Sequence, residues 1–191
     1  MQKNQKSVFE RVSAFDEETG DLNVIIDTPK GSRNKYKFDE RLGLFKLGGV
    51  LPVGAFFPYD FGYIPQTLGG DGDPVDVLVL MDEPAFVGCL IPSRLIGVIA
   101  AEQTEAGKTE TNDRLIAVAA NSRVHTDVKS LTDLNETLVG EIEHFFVSYN
   151  MAKGKEFKPL GRFGAQKAKK IVEAGMKLHK KPKGKTNAKK K

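Results

Sequence analysis

The sequence lacks several features that mark particular classes of protein. It has no tryptophan and a single cysteine, Cys89, so no disulfide can form within the chain. No apolar run approaches the roughly 18 residues that a transmembrane helix needs. The N-terminal residues contain no apolar segment of the kind found in signal peptides. These absences predict a soluble protein of the cytoplasm, a reducing compartment, with Cys89 buried and inert.

Acidic residues are missing from one end of the chain. The formal net charge is +4, but residues 177–191 hold eight lysines and no aspartate or glutamate. The remainder carries 21 basic and 25 acidic residues, so the body of the protein is mildly acidic. Residues 177–191 include Pro182 and Gly184 and cannot pack a core, which predicts a disordered, solvated tail. Binding of nucleic acid by this tail is the alternative interpretation. We expect no membrane partner.

Strand patterns fill the first two-thirds of the chain and helical patterns the last third. Strands are predicted over 22–29, 35–40, 75–81, 89–103 (as one or two strands) and 114–120, with a polar hairpin loop over 104–113. Helices are predicted over 133–149, after a capping box at 130–133, and over 164–176. Many short strands followed by two helices predict an α+β domain built on a small barrel. The domain would span residues 1–176 and the tail residues 177–191.

Three aspartates crowd the segment GGDGDPVDVLVL, residues 69–80. Asp71, Asp73 and Asp76 precede an unbroken aliphatic run that is typical of a buried strand. Carboxylates this close repel one another, which raises their pKa values unless a cation lies between them. Oxygen ligands of this kind suit magnesium or calcium, whereas zinc prefers histidine and cysteine. The spacing does not match an EF-hand. The segment therefore predicts a cation-binding loop, with an acidic turn that only caps a strand as the alternative.

This segment and two others resemble the soluble family I inorganic pyrophosphatases. The matching residues are DGDPVDVLVL (71–80) with FPYDFGYIPQTL (57–68) upstream, VIIDTPKGSRNKYKFD (24–39) and EIEHFFVSYNMAKGKEFK (141–158). The resemblance implies a small OB-like, five-stranded β-barrel with flanking C-terminal helices, and assembly into a homo-oligomer. It also implies hydrolysis of pyrophosphate to two phosphates with Mg²⁺, or with Mn²⁺ in its place.

The resemblance implies a role for each of several residues. Asp71 and Asp76 would be metal ligands, with Asp76 bridging two ions, and Asp73 would be the general base on the attacking water. Lys35 would hold a phosphoryl oxygen as a point charge, and Tyr149 would donate its hydroxyl to another.

The polar loop predicted over 104–113 replaces a family segment that contains two aspartates and a lysine. The simplest alignment puts Thr104 and Asn112 at the two acids and Arg114 at the phosphate-binding lysine. Asn112 would then offer its side-chain oxygen to a metal, without the charge. Because the loop is longer than the family pattern, other acids can reach the site instead; the candidates are Glu105, Glu110 and Asp113.

Other positions also depart from the family pattern. Lys37 and Asp27 stand where glutamates are usual, Gly49 stands for an arginine, Phe57 and Phe61 for tyrosines, and Asn150 for a lysine. Losing one transition-state donor typically costs about 100- to 1,000-fold in rate. Two interpretations follow: a hydrolase that is slow or altered, and an inactive relative that binds metal or phosphate or acts as a regulatory or structural partner. Positive charge from Lys37, or from Arg41 nearby, would favour fewer magnesium ions and a related phosphoanhydride in place of pyrophosphate. The aromatic residues of 56–63 are predicted to form barrel core and site wall and not a surface for nucleic acid.

Overall fold

Residues 11–180 are described by the computed structural model of the chain, and strands dominate them. The strands are β1 (Leu22–Thr28), β2 (Asn34–Asp39), β3 (Leu44–Val50), β4 (Asp60–Tyr63), β5 (Asp76–Leu80), β6 (Leu90–Glu105), β7 (Lys108–Thr111), β8 (Arg114–Ala119) and β9 (Glu156–Gly164). The helices are α1 (Glu136–Met151) and α2 (Ala165–Lys180). Within residues 11–180, neither helix combines the length and the apolar character that crossing a bilayer requires.

Five of the strands close into a ring. β1 pairs with β4, β4 with β5, β5 with β8, β8 with β6, and β6 returns to β1. The β5–β8 pair is parallel, and the other pairs of the ring are antiparallel. β6 is long enough to pair with four strands, because its first residues pair with β1, its middle with β8, its last half with β9 and its last four residues also with β7. The small barrel with flanking helices is therefore confirmed.

Each face of the barrel strands is covered by one helix. Because side chains alternate along a strand, Val77 and Val79 of β5 join one apolar cluster, and Leu78 and Leu80 join the other. α2 packs on the first cluster and α1 on the second; the buried helical residues are Ala168 and Val172 from α2, and Ile142 and Phe146 from α1. Lys35 and the rest of β2 lie outside this barrel, in a two-stranded hairpin with β3.

One glycine is required where β1 and β4 cross closely. A Cβ atom at Gly62 would lie 2.1 Å from the carbonyl oxygen of Ile25. No side chain tolerates that distance, so a glycine in this strand marks the close approach of two backbones.

A hairpin is present at 104–113, as predicted, but most of the segment is strand and not loop. β6 continues to Glu105, and β7 begins at Lys108, so this segment is a β-hairpin. Ala106 and Gly107 form its turn with positive φ angles of 49° and 78°. β9 was not predicted, because Pro159 and its glycines weaken the strand pattern of EFKPLGRFG.

Three further expectations need correction. The capping box at Ser130 is present, but it caps a short 3-10 helix (Leu131–Asp133), and α1 is capped by Asn135. α2 continues to Lys180, so the first four residues of the predicted tail are helical, and residues 181–191 lie outside the described part. Cys89 is half-buried and not fully buried, although partial burial still raises the pKa of its thiol.

Candidate functional site

The acidic loop between β4 and β5 is held in shape by its own backbone. Gly69 donates to the carbonyl oxygen of Asp73 at 2.7 Å, and Gly72 turns the chain with a φ of +83°. The Asp73 N–H donates to Oδ1 of Asp71 at 3.1 Å. Asp76 follows as the first residue of β5. The sequence thus brings three carboxylates to one rim of the barrel.

Charge repulsion within this loop is visible at Asp71. Partial burial raises the pKa of Asp71, and the negative charges of Asp76 and Asp73 raise it further, against the opposing charge of Arg114. A carboxyl group in this position gains from any additional positive charge that comes close.

The three predicted metal ligands line one cavity. Asp71, Asp76 and Asn112 surround a space of about 40 Å³ together with Asp113. Among residues 11–180, no three His, Cys, Asp or Glu side chains are grouped as a metal cluster. Magnesium is commonly held by only one or two carboxylates, with water and substrate oxygens as the other ligands. Asp71 and Asp76 thus provide this cavity with the number of carboxylates that such an ion uses.

Three ion pairs cross the rim. They are Lys35 Nζ with Asp27 Oδ1 at 2.5 Å, Lys37 Nζ with both carboxylate oxygens of Asp73 at 2.9 Å, and Arg114 Nη1 with Asp76 Oδ2 at 2.7 Å. Each pair joins an acid of the site to a cation from another element. Lys37, at the position where an acid is expected, thus contacts the residue that was predicted to be the general base.

Of the acids in these three ion pairs, Asp27, the partner of Lys35, is the most buried. Asp27 is 6% exposed, and its burial raises the pKa of its carboxyl, although Lys35 and the hydroxyl of Thr28 oppose this shift. The Lys35 ammonium also lies 4.4 Å from the ring centroid of Phe61, in a cation–π contact. Lys35 is therefore fixed beside the acidic loop.

Arg114 is held at the start of β8 from several sides. It is 4% exposed, and its guanidinium lies 5.2 Å and 5.4 Å from the ring centroids of Phe146 and Phe157. Its Nη1 donates to Asn112 Oδ1 as well as to Asp76. The Asn112 oxygen that was predicted to bind metal is thus engaged by Arg114. The buried Nε of Arg114 has no hydrogen-bond partner among the described residues.

The register of the β6–β7 hairpin differs from the simplest alignment. Gln103 Oε1 accepts from Asn112 Nδ2 at 3.0 Å, whereas Thr104 lies within 2.8 Å of the Thr109 hydroxyl. Because neighbouring strand residues point to opposite faces, Gln103 and not Thr104 is the partner of Asn112. Thr104 therefore lies on the other face of the hairpin from Asn112, and Gln103 takes the place beside it.

The alternative acids of this hairpin are engaged elsewhere. Glu105 pairs with Lys155 at 2.8 Å, and Glu110 pairs with Lys108. Asp113 lines the cavity, but its Oδ1 accepts from the N–H of Ala101 at 3.1 Å. The hairpin thus places amides, and not further carboxylates, next to Arg114.

Lys153, just after the C-terminal end of α1, was not among the site residues predicted from the sequence. Asn150 is only 2% exposed, and its Nδ2 donates to the Phe146 carbonyl at 2.8 Å, so this position faces the core. Lys153 instead donates from Nζ to the Tyr149 hydroxyl and lies 4.1 Å from the ring centroid. The available signal was spacing, because residues four apart on a helix are neighbours.

The pKa shifts of this pair have one main cause. Burial raises the pKa of Tyr149 well above its ordinary value, and the charge of Asp76 adds to the shift. The Lys153 side chain remains accessible to solvent, but partial desolvation lowers its pKa to about 8, helped by the positive charges of Lys35, Lys155 and Arg114. Tyr149 therefore remains a protonated donor, while Lys153 titrates in a range that enzymes encounter.

The other positions that differ from the family pattern carry apolar side chains or, at Gly49, no side chain. Phe57 and Phe61 are buried and pack against the aromatic side chains of α1, including Phe145 and Tyr149. Gly49 pairs with Lys35 across the β2–β3 hairpin, and a Cβ built there would meet no atom within 4 Å. Phe57 and Phe61 belong to the predicted core, and the space beside Gly49 is open.

Comparisons with known proteins agree with one another. The family model described as inorganic pyrophosphatase matches residues 24–180. The inorganic pyrophosphatase of Synechocystis is 39% identical over 161 residues, which covers 84% of this chain and 93% of that protein. The crystal structure of inorganic pyrophosphatase from Thermus thermophilus superposes with a TM-score of 0.81 at 32% identity, covering 90% of this chain and 98% of that one. The inorganic pyrophosphatase structure from Coxiella burnetii gives 0.80 at 34% identity, covering 88% and 100%.

Proposed function

The chain belongs to the inorganic pyrophosphatase family, and we propose that it hydrolyses inorganic pyrophosphate to two phosphate ions. The observation that supports this most is the convergence of acids and cations from separate elements at one rim of the barrel. The acidic loop contacts Lys37 of β2 and Arg114 of β8, and the charge of Asp76 acts on Tyr149 of α1. Lys35 pairs with Asp27 of β1. A compact polyanion needs such a combination of cations and hydroxyl donors.

In the proposed reaction, a water oxygen bonds to one phosphorus as the bridging P–O bond breaks. Asp73 takes the proton of the attacking water, and the second phosphate leaves with the bridging oxygen. Lys35 and Arg114 offset the negative charge on the phosphoryl oxygens, and Tyr149 donates its hydroxyl hydrogen. Lys37 orients the Asp73 carboxylate, because it contacts both oxygens at 2.9 Å.

We propose that Mg²⁺, or Mn²⁺ in its place, binds at Asp71 and Asp76. When bound, such an ion neutralises phosphate charge and lowers the pKa of a coordinated water. We also propose that the site holds fewer ions than the several that the resemblance implies. The support for this is that Lys37 and Arg114 already contact Asp73 and Asp76, and that Asn112 contributes no charge.

Phosphate release from pyrophosphate tests the proposed activity. The full-length protein is assayed with Mg²⁺ and with Mn²⁺ beside the variants Asp73→Asn and Asp127→Asn, the latter on an exposed surface position. A general base contributes typically about 10²- to 10⁴-fold, so Asp73→Asn is expected to lower kcat at least about 100-fold, and Asp127→Asn to leave it unchanged. Equal rates for the wild type and Asp73→Asn would reject the proposed role of Asp73.

One observation favours the inactive relative as a second candidate. Lys37 contacts both oxygens of Asp73, and that contact competes with a water molecule for the same carboxylate. Binding of methylenediphosphonate, a pyrophosphate analogue that is not hydrolysed at its bridge, separates the two candidates. Tight binding without phosphate release from pyrophosphate would support the inactive relative.

The cellular location and the assembly of the protein complete the proposal. We place the protein in the cytoplasm, since the lone Cys89 suits a reducing compartment. We also propose a homo-oligomer, which is supported by apolar side chains on the β2–β3 hairpin that are 55–65% exposed; these are Leu42, Leu44, Leu47 and Val50.

A further inference from the structure

We propose that Lys153 is a substrate-binding residue and that it replaces, from the next turn of the chain, the cation that is absent at position 150. This inference rests on the proposed function, because it assigns a role within the same site. It concerns the binding of a phosphate group and involves no bond-making step.

Position 150 is unsuitable for a phosphate-binding side chain in this protein. Asn150 is 2% exposed, and its amide donates to the backbone of Phe146 one turn earlier. Its carbonyl oxygen accepts the N–H groups of Lys153 and Lys155 at 2.9 Å and 3.0 Å. Asn150 is thus part of the structure that ends α1.

The end of α1 turns Lys153 back towards the site. Ala152 caps the helix in a helical conformation, and Gly154 follows with a φ of +73°, which favours glycine. Lys153 therefore lies one turn beyond Tyr149, with its ammonium on the hydroxyl that was predicted to bind a phosphoryl oxygen. A phosphate bound at this hydroxyl would contact the ammonium as well.

Lys153 differs from its charged neighbours in having no carboxylate partner within residues 11–180. The cations that act on it are each paired: Lys35 with Asp27, Arg114 with Asp76, and Lys155 with Glu105. Asp76 is the acid whose charge opposes them, and Tyr149 is the other titratable group in contact. An unpaired ammonium among other cations is a favourable place for a polyanion.

A pH dependence follows from this position. The pKa of Lys153 is lowered to about 8, so the free protein loses this charge as the pH rises through that value. A bound polyanion favours the protonated form, and affinity should therefore fall as the pH rises through about 8.

Binding of methylenediphosphonate with Mg²⁺, measured by calorimetry from about pH 6.5 to pH 9.5, tests the inference. Lys153→Met is expected to bind about 10- to 100-fold more weakly than wild type below pH 8, the loss of one charged hydrogen bond. The wild-type decline near pH 8 should disappear in this variant. Lys153→Arg should restore affinity without the decline, because a guanidinium stays charged. Lys158→Met, on an exposed position of β9, is the matched control and should resemble wild type.

Two results separate this inference from the proposed function. If Lys153→Met binds the analogue with wild-type affinity and pH dependence, Lys153 is not a substrate-binding residue, whatever the hydrolytic rate. If wild type releases no phosphate but Lys153→Met still binds more weakly, the role of Lys153 stands and the proposed hydrolysis fails. Circular dichroism of each variant shows that weaker binding does not come from unfolding.

Discussion

The charges of single residues around the acidic loop nearly cancel. The carboxylates are Asp27, Asp71, Asp73 and Asp76, and the cations are Lys35, Lys37, Arg114 and Lys153. Asp27, Asp73 and Asp76 are in ion pairs, whereas Asp71 is not. The negative charges of Asp73 and Asp76 therefore still raise the pKa of Asp71. The site therefore needs little external positive charge until pyrophosphate brings its own negative charge.

Lys37→Glu is expected to increase the number of divalent ions that the protein binds. It replaces the cation on Asp73 by a second carboxylate, and two adjacent carboxylates repel unless an ion lies between them. Titration with Mn²⁺, followed by electron paramagnetic resonance, should show at least one more bound ion than in wild type. Without metal, the variant should also unfold at a lower temperature, and Mn²⁺ should reverse this loss.

Arg162→Glu is the control for that experiment. Arg162 of β9 pairs with Glu143 of α1 at 2.8 Å, so the substitution also replaces a paired cation by a second carboxylate, but away from the acidic loop. It should leave the number of bound ions as in wild type. An unchanged ion count in Lys37→Glu would show that Lys37 does not stand in for a metal.

The acidic loop could be predicted from sequence, but its surroundings could not. Asp71, Asp73 and Asp76 are neighbours in the chain, so their proximity needs no knowledge of the fold. Lys153 is four residues from Tyr149, but the predicted helix ended at Tyr149, so their contact depends on α1 continuing to Met151. Gln103 lies beside Asn112 because β6 extends into the hairpin. Strand register and helix ends depend on tertiary contacts that a single sequence does not display.

Among the secondary-structure elements, the strands of the barrel were the ones that the sequence pattern predicted. β1, β5 and β8 are short, nearly continuous aliphatic runs, and each is buried as such runs require. β9 carries alternating exposed residues, glycines and a proline, and it becomes a strand by pairing along the second half of β6. An edge partner of this kind is specified by the strand it joins more than by its own residues.

Gly62→Ala is expected to destabilise the contact between β1 and β4. The added Cβ would stand 2.1 Å from the Ile25 carbonyl, and backbone on both strands must move to relieve it. We expect a loss of about 1–3 kcal/mol, or more, in the free energy of unfolding, measured with urea. Gly49→Ala is the control, since it adds the same methyl group to a strand glycine with open space beside it. Equal stability of the two variants would contradict the β1–β4 register described above.

For the whole molecule, the five-stranded ring explains why distant segments share one site. Its rim brings together the loop before β5 and the start of β8, while α1 and the β2–β3 hairpin approach from outside. The family model ends at residue 180, which is also the last residue of α2. The last described residue of α2 and the end of the family match therefore coincide, four residues beyond the boundary that composition alone predicted.

Two truncations of the chain should therefore behave differently. Ending it after Lys180 removes six lysines and changes the formal net charge from +4 to −2, but it keeps α2 through Lys180, its last described residue. We expect this first truncation to alter the free energy of unfolding by less than about 0.5 kcal/mol and to leave kcat unchanged.

Ending the chain after Met176 also removes Lys177, His179 and Lys180, the basic residues of the last helical turn. Because cations stabilise the C-terminal end of a helix, this second truncation should cost a further 0.3–1 kcal/mol, roughly, in urea unfolding. A larger loss from the first truncation than from the second step would place residues 181–191 within the folded unit.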